Sequence, residues 1–183
     1  MLLTCLTMSA QTAAERQALQ HISQVAAAQK SLQCDFVQTK HMKMLGDKMV
    51  SRGKMNFTQP DQLRWEYTSP NVFILSLKGK TVTIQKQEGK KMVEVKGNKY
   101  MKRLAQLIMG CITGKSLSDA KLFKASVQDS GQTYIVTLIP QKKELSQFCP
   151  KMVLTFVKKK EMASRVVMYE KSGDYTEIEF TRK

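Results

Sequence analysis

Histidine is scarce in this chain of 183 residues, which carries only His21 and His41, and acidic residues are outnumbered by basic ones, 15 to 30. The two histidines fall on different expected elements, with neither a nucleophilic cysteine nor a carboxylate arranged around them. No G-x-S-x-G, H-E-x-x-H, phosphate-loop or dinucleotide fingerprint occurs. These gaps argue against an enzyme. Glu177 and Glu179 alternate along the last expected strand, but carboxylates among so many lysines read as a solvated, salt-bridged face rather than an acid/base pair. Cys5, Cys34, Cys111 and Cys149 include no C-x-x-C spacing, so neither metal nor cofactor is implied. No run approaches the roughly 18 apolar residues of a membrane-spanning helix.

The excess of basic charge, a net +15, is mostly lysine. A protein that reads bases relies on arginine forks and on aromatics exposed among basic residues, whereas here the aromatics alternate away from their Lys and Arg neighbours. Lys90-Lys91, Lys142-Lys143 and Lys158-Lys159-Lys160 read as turns or solvated edges that discourage edge-to-edge pairing. Nucleic acid is not an expected partner; weak attraction to an anionic surface is. The first ten residues are uncharged and end in Ser9-Ala10, which suits the remnant of a secretory leader cleaved after Ala10. Residues 11–183 then form one domain, expected to be monomeric. Without Cys5, the remaining three cysteines read as small buried apolar side chains.

What is present is alternation. In the run from Gly53 to Tyr67, Met55 and Phe57 point one way before a Pro60-Asp61 turn, and Leu63, Trp65 and Tyr67 do so after it. Such a hairpin must cover its oily face with the protein's own core or with an apolar guest. An amphipathic helix is expected from 13 to about 32, followed by strands near 33–45, 49–58, 62–69, 72–78, 81–86 and 91–96. A second helix is expected over about 99–112, with strands resuming near 121–129, 132–139, 151–158, 162–169 and 174–182. Neither a linker nor an internal repeat divides the chain.

About eleven antiparallel strands and two helices make a mainly β, α+β chain. So many strands curl because strands twist, and a curled sheet has a concave face to fill. Met55, Phe57, Leu63, Trp65, Tyr67, Leu75, Leu154 and Phe156 are the candidate lining of that concavity. The stripe Met101, Leu104, Leu107 and Ile108 is the candidate helical lid, and twelve methionines offer an adaptable lining.

Cys34-Asp35-Phe36-Val37-Gln38-Thr39 following an amphipathic helix, then Gly53-x-Met55-x-Phe57-x-Gln59-Pro60-Asp61-x-Leu63-x-Trp65-x-Tyr67, then Gly79-Lys80-Thr81, resembles the LolA family of periplasmic lipoprotein carriers. The recognisable motif lies within about 34–83, while the order of elements agrees over most of the chain. The resemblance implies an unclosed β-barrel under a helical lid. It implies carriage of lipoprotein acyl chains across the periplasm of a Gram-negative bacterium, from an inner-membrane releasing transporter to an outer-membrane acceptor. An envelope sensor or lipid-binding regulatory module on the same scaffold is the alternative, and a lysine-rich nucleic-acid or membrane-surface binder a more distant one. Two departures stand out: Gln59 replaces the arginine that in the family latches the lid, and Lys78 replaces an aspartate before Gly-Lys. Gln59 is thus a latch candidate without charge assistance.

Overall fold

The computed structural model describes residues 12–89, 91–96, 105, 108–110, 113, 114, 116–160 and 162–182. Helix α1 (Ala13–Ala28) opens with a capping box, in which Thr12 Oγ1 accepts from the Glu15 backbone N–H at 3.1 Å and Glu15 accepts from that of Thr12 at 2.8 Å. Its buried face is Leu19, Ile22 and Ala26. The helix ends before Leu32, where sequence periodicity alone would have carried it. Leu32 instead joins β1, because its spacing also suits alternation and its side chain finds Phe57 directly opposite.

Eleven strands follow: β1 (Ser31–Met42), β2 (Asp47–Thr58), β3 (Gln62–Ser69), β4 (Phe73–Lys78), β5 (Thr81–Glu88), β6 (Lys91–Lys96), β7 (Phe123–Ser130), β8 (Thr133–Pro140), β9 (Lys151–Val157), β10 (Ala163–Tyr169) and β11 (Tyr175–Arg182). A short helix α2 (Lys143–Phe148), not expected from the sequence, joins β8 to β9. The strands form one sheet in the order β6-β5-β4-β3-β2-β1-β11-β10-β9-β8-β7, every neighbour antiparallel. Strands β6 and β7 are its two ends and do not pair, so the sheet is an unclosed barrel, as the sequence led one to expect.

Two meanders, β1 to β6 and β7 to β11, meet at the β1–β11 ladder, where Phe36 lies opposite Phe180 and Gln38 opposite Ile178. Period-two alternation then places one side of every strand on a common inner face. One row across it runs Leu32, Phe57, Leu63, Leu77, Val82; the next runs Cys34, Met55, Trp65, Leu75, Ile84. Val136, Leu154, Val166 and Ile178 continue that face through the second meander. These side chains form one buried cluster with Leu19 and Ile22 of α1, apart from the half-buried Leu75, which packs against it, and Ile84.

Among the described residues no helix is long and apolar enough to cross a membrane. Helix α1 also guards an end of the sheet: Glu15 Oε1 accepts from the Val127 N–H of the end strand β7 at 3.1 Å, and these backbone bonds hold its carboxyl below the ordinary range.

Candidate functional site

The inner face is the candidate site, and its centre is aromatic. The Phe36 ring lies 4.5 Å from Trp65 and 5.2 Å, edge-on, from Tyr67; Phe180 meets Trp65 edge-on at 5.9 Å and Phe73 lies 5.9 Å from Tyr67. Gly53 makes room for this set, since it stands opposite both Phe36 and Tyr67 in the ladders and its missing side chain is where the Phe36 ring lies.

Two polar groups sit in that apolar setting. The Tyr67 hydroxyl donates to Gln38 Oε1 at 2.9 Å; burial pushes its pKa up, and the bond to Gln38 offsets part of the rise. Trp65 is 5% exposed, and among the described residues its indole N–H has no acceptor in hydrogen-bonding geometry. A buried donor left unmade is costly. A guest bringing a carbonyl oxygen to this point would satisfy it.

Of the residues named as lining from the sequence, Met55, Phe57, Leu63, Trp65, Leu154 and Phe156 are buried together on this face, and Tyr67 and Leu75 are half-buried against them. Of the lid stripe, Met101, Leu104 and Leu107 lie outside the described residues. Ile108 is helical, and with Met109 it packs on the buried cluster, to which Ala105 itself belongs. Thr113, fully buried, closes that helical turn by donating from Oγ1 to the Met109 carbonyl at 2.7 Å.

The cover is therefore shared. Helix α1 contributes Leu19 and Ile22, and Ser23 Oγ of the same helix donates to the Gly114 carbonyl at 3.0 Å. Gly114, at φ +74°, lets the chain approach α1 so closely that a Cβ there would stand 3.1 Å from Ile22. Gln59 fastens α1: its Nε2 donates to the Ala27 and Gln29 carbonyls at 2.9 and 2.6 Å, and its backbone N–H to Lys30. The Ala27 carbonyl is one that the helix C-terminus leaves without an intrahelical donor, and Gln29 is the C-cap residue.

A groove of about 520 Å³ runs along the outside of α1, between Arg16, Gln20, Ser23 and the segment 117–125. Its walls include Leu19, Leu117 and Phe123, which also belong to the buried cluster, so it adjoins the inner face directly. Sequence reading missed this groove, because nothing local indicates which strand a helix will lie against. It also left Phe36, Gln38 and Phe180 out of the lining. Phe36 and Gln38 were legible in the alternation Leu32, Cys34, Phe36, Gln38; Phe180 required the β1–β11 pairing.

Among the described residues the histidines and carboxylates do not gather into a catalytic or metal site. His21 lies edge-on to Tyr134 at 6.3 Å, and His41 stacks on Tyr175 at 4.2 Å. Glu177 is ion-paired with Arg165, which lowers its pKa, and Glu179 is exposed. Among the described residues no three His, Cys, Asp or Glu side chains are grouped to hold a metal. Cys34 and Cys149 are free thiols, buried and half-buried.

Residues 27–182 match the family described as outer membrane lipoprotein carrier protein LolA. None of the curated proteins matches the chain. Among solved structures, MucB superposes with a TM-score of 0.53 at 12% identity, covering 93% of this chain and 58% of that one. MucB in the Pseudomonas aeruginosa MucA/MucB complex gives 0.52 at 11%, covering 93% and 56%. A LolA superfamily protein from Nitrosomonas europaea, NE2245, gives 0.45 at 9%, covering 91% of each chain. At such identities the two superpositions above 0.5 show a shared fold and nothing further.

Proposed function

This chain belongs to the LolA family of outer membrane lipoprotein carrier proteins, and from that premise we propose that its inner face shelters lipoprotein acyl chains in transit through the periplasm. The observation that carries this reading is the continuous apolar face running across both meanders. Among the described residues it is covered not by a second sheet but by α1 and by Ala105, Ile108, Met109 and Leu117. A helix held by a few contacts can leave; a second sheet could not.

Shelter of this kind needs area rather than catalysis. Each methylene removed from water is worth about 0.8 kcal/mol, so a sixteen-carbon chain carries on the order of 12 kcal/mol and cannot cross an aqueous compartment bare. The described conformation is closed, with Val136, Leu138 and Leu154 fully buried. Cargo enters by displacing the cover, and the groove of about 520 Å³ beside α1 is the access route because three of its walls are already core residues. Met55, Phe57, Leu63, Trp65, Tyr67, Leu75, Leu154 and Phe156 line the opened space. The segment bearing Met101, Leu104, Leu107 and Ile108 acts with α1 as the lid, and Gln59 is the latch on α1. The ester or amide carbonyl of the cargo accepts from Trp65. Release follows when an acceptor offers more favourable burial, since a carrier moves cargo only down its free-energy gradient. By family, the donor is an inner-membrane releasing transporter and the acceptor an outer-membrane protein.

A second reading rests on the fold shared with MucB, whose solved structures include a complex with MucA. On it, the same scaffold is a regulatory module that binds a protein segment.

Mass spectrometry of lipid extracted from purified protein, followed by titration of the delipidated protein with a fluorescent acyl probe, distinguishes the two. Carriage predicts co-purified acyl lipid and saturable probe binding, abolished by polar substitution at Leu63 and Leu154 in variants that remain folded. Folded protein that takes up no acyl probe sinks the carrier reading.

A further inference from the structure

We propose that the turn joining β1 to β2 docks on an anionic phospholipid bilayer, with Met44 and Leu45 entering the interface and Lys43 and Lys48 meeting headgroup phosphates. The proposal concerns the outer tip of the sheet and does not depend on what the inner face holds.

The tip is unusual for its exposure. Residues 43–50 are all exposed, and at the apex Met44 is 91% and Leu45 73% accessible, with Met49 and Val50 continuing the apolar surface along β2. The backbone enforces this presentation: Leu45 N–H donates to the Met42 carbonyl at 3.2 Å and Gly46 turns the chain at φ +61°. Two large apolar side chains therefore stand at the summit of a tight turn, a position with no structural gain.

Below the apex the hairpin is firmly held. Lys43 N–H donates to Asp174 Oδ1 at 2.9 Å, tying the tip to the β10–β11 turn, and His41 stacks on Tyr175 with an interplanar angle of 11°. The Asp47 carboxylate accepts from the Lys48 N–H at 2.7 Å, and Glu170 pairs with Lys40 at 3.1 Å. The Lys43 and Lys48 ammonium groups form no ion pair among the described residues, and exposed Lys171 stands on the adjoining turn. A groove of about 440 Å³ between His41, Lys43, Lys48 and Tyr175 opens beside the apex, wide enough for a headgroup.

Charge and shape select the occupant. Apolar summit residues ringed by unpaired lysines complement an anionic bilayer surface, where each lysine and each inserted apolar group adds affinity. A narrow convex apex cannot bury the roughly 800 Å² per partner of a stable protein interface, whereas a fluid bilayer closes around it. The net charge of +15 adds a long-range pull toward the same surface.

Flotation of the full chain with vesicles of equal parts phosphatidylcholine and phosphatidylglycerol, against vesicles of phosphatidylcholine alone, tests the assignment. Binding is expected only to the anionic vesicles, weakening with salt. Met44→Ser with Leu45→Ser should lower partitioning on the order of tenfold, and Lys43→Ser with Lys48→Ser by roughly fivefold per lysine. Both pairs should keep the wild-type circular dichroism spectrum and acyl-probe affinity. Equal binding to neutral vesicles, no binding, or binding untouched by the Met44 and Leu45 changes overturns the proposal. So does wild-type self-association in sedimentation velocity that the same changes abolish.

Discussion

Phe36 lies across Gly53, so close that a Cβ on residue 53 would stand 2.6 Å from the Phe36 ring carbon Cε1 and nearer still to the Glu66 carbonyl oxygen. A glycine in a strand interior weakens the strand, so its presence here records the need for the ring to lie over the backbone.

Gly53→Ala should accordingly destabilise the protein by about 1–3 kcal/mol, the usual cost of overpacking a filled core. Urea titration measures it. Combining the change with Phe36→Leu should cost less than the sum of the two single changes, because the shorter side chain vacates the contested space. Strict additivity would show that the Glu66 carbonyl, not the ring, sets the limit.

Trp65 is the single tryptophan and its N–H finds no acceptor among the described residues, which makes it both reporter and test. A brominated fatty acid should quench its emission on binding. Trp65→Phe removes no hydrogen bond and relieves an unpaired buried donor, so its stability loss should be smaller than the lost volume alone would give, below about 1.5 kcal/mol. Probe affinity should fall if the cargo carbonyl accepts from the indole. Unquenched emission with demonstrated binding would remove Trp65 from the lining.

At Gln59 the two bonds to the Ala27 and Gln29 carbonyls hold the end of α1. Gln59→Leu deletes both, each worth about 0.5–1.5 kcal/mol, and should speed uptake of an acyl probe in stopped-flow mixing. Gln59→Arg restores a charged donor of the kind the family uses and should slow it. Rates unchanged in both variants would reduce Gln59 to a strand-end residue.

Burial raises the Cys34 thiol to about 12, with the adjacent Asp35 charge adding to the shift. A group whose folded pKa exceeds its unfolded value, about 8.5 for cysteine, contributes stability below the unfolded value and loses it as pH rises toward the folded one. Stability should therefore decline between about pH 8.5 and pH 12, by up to ~1.4 kcal/mol per pH unit from this group. Cys34→Ala should flatten that part of the curve. An identical slope in the variant would assign the decline to the lysines and tyrosines that titrate in the same range.

Much of the sheet was legible before its structure was known. All eleven strands stand close to where alternation put them, because a half-buried strand writes its two faces into every second residue. Gln59 could be picked out by its place before Pro60. That it would hold α1 was not legible, since the carbonyls of Ala27 and Gln29 reach it only through folding. Leu32 deceived the helix reading because a single residue at a boundary fits period 3.6 and period 2 alike. The six residues of α2 were too few to show a period at all.

The sequence by itself determined the local repertoire: which residues alternate, where Gly and Pro turn the chain, and that one apolar face would need a cover. Only the tertiary structure decided what meets across that face. β1 and β11 pair at the centre of the sheet although they come from opposite ends of the chain, and this places Phe180 beside Trp65. Such pairings depend on distant segments closing against chain entropy, a sum over the whole molecule that no local window contains.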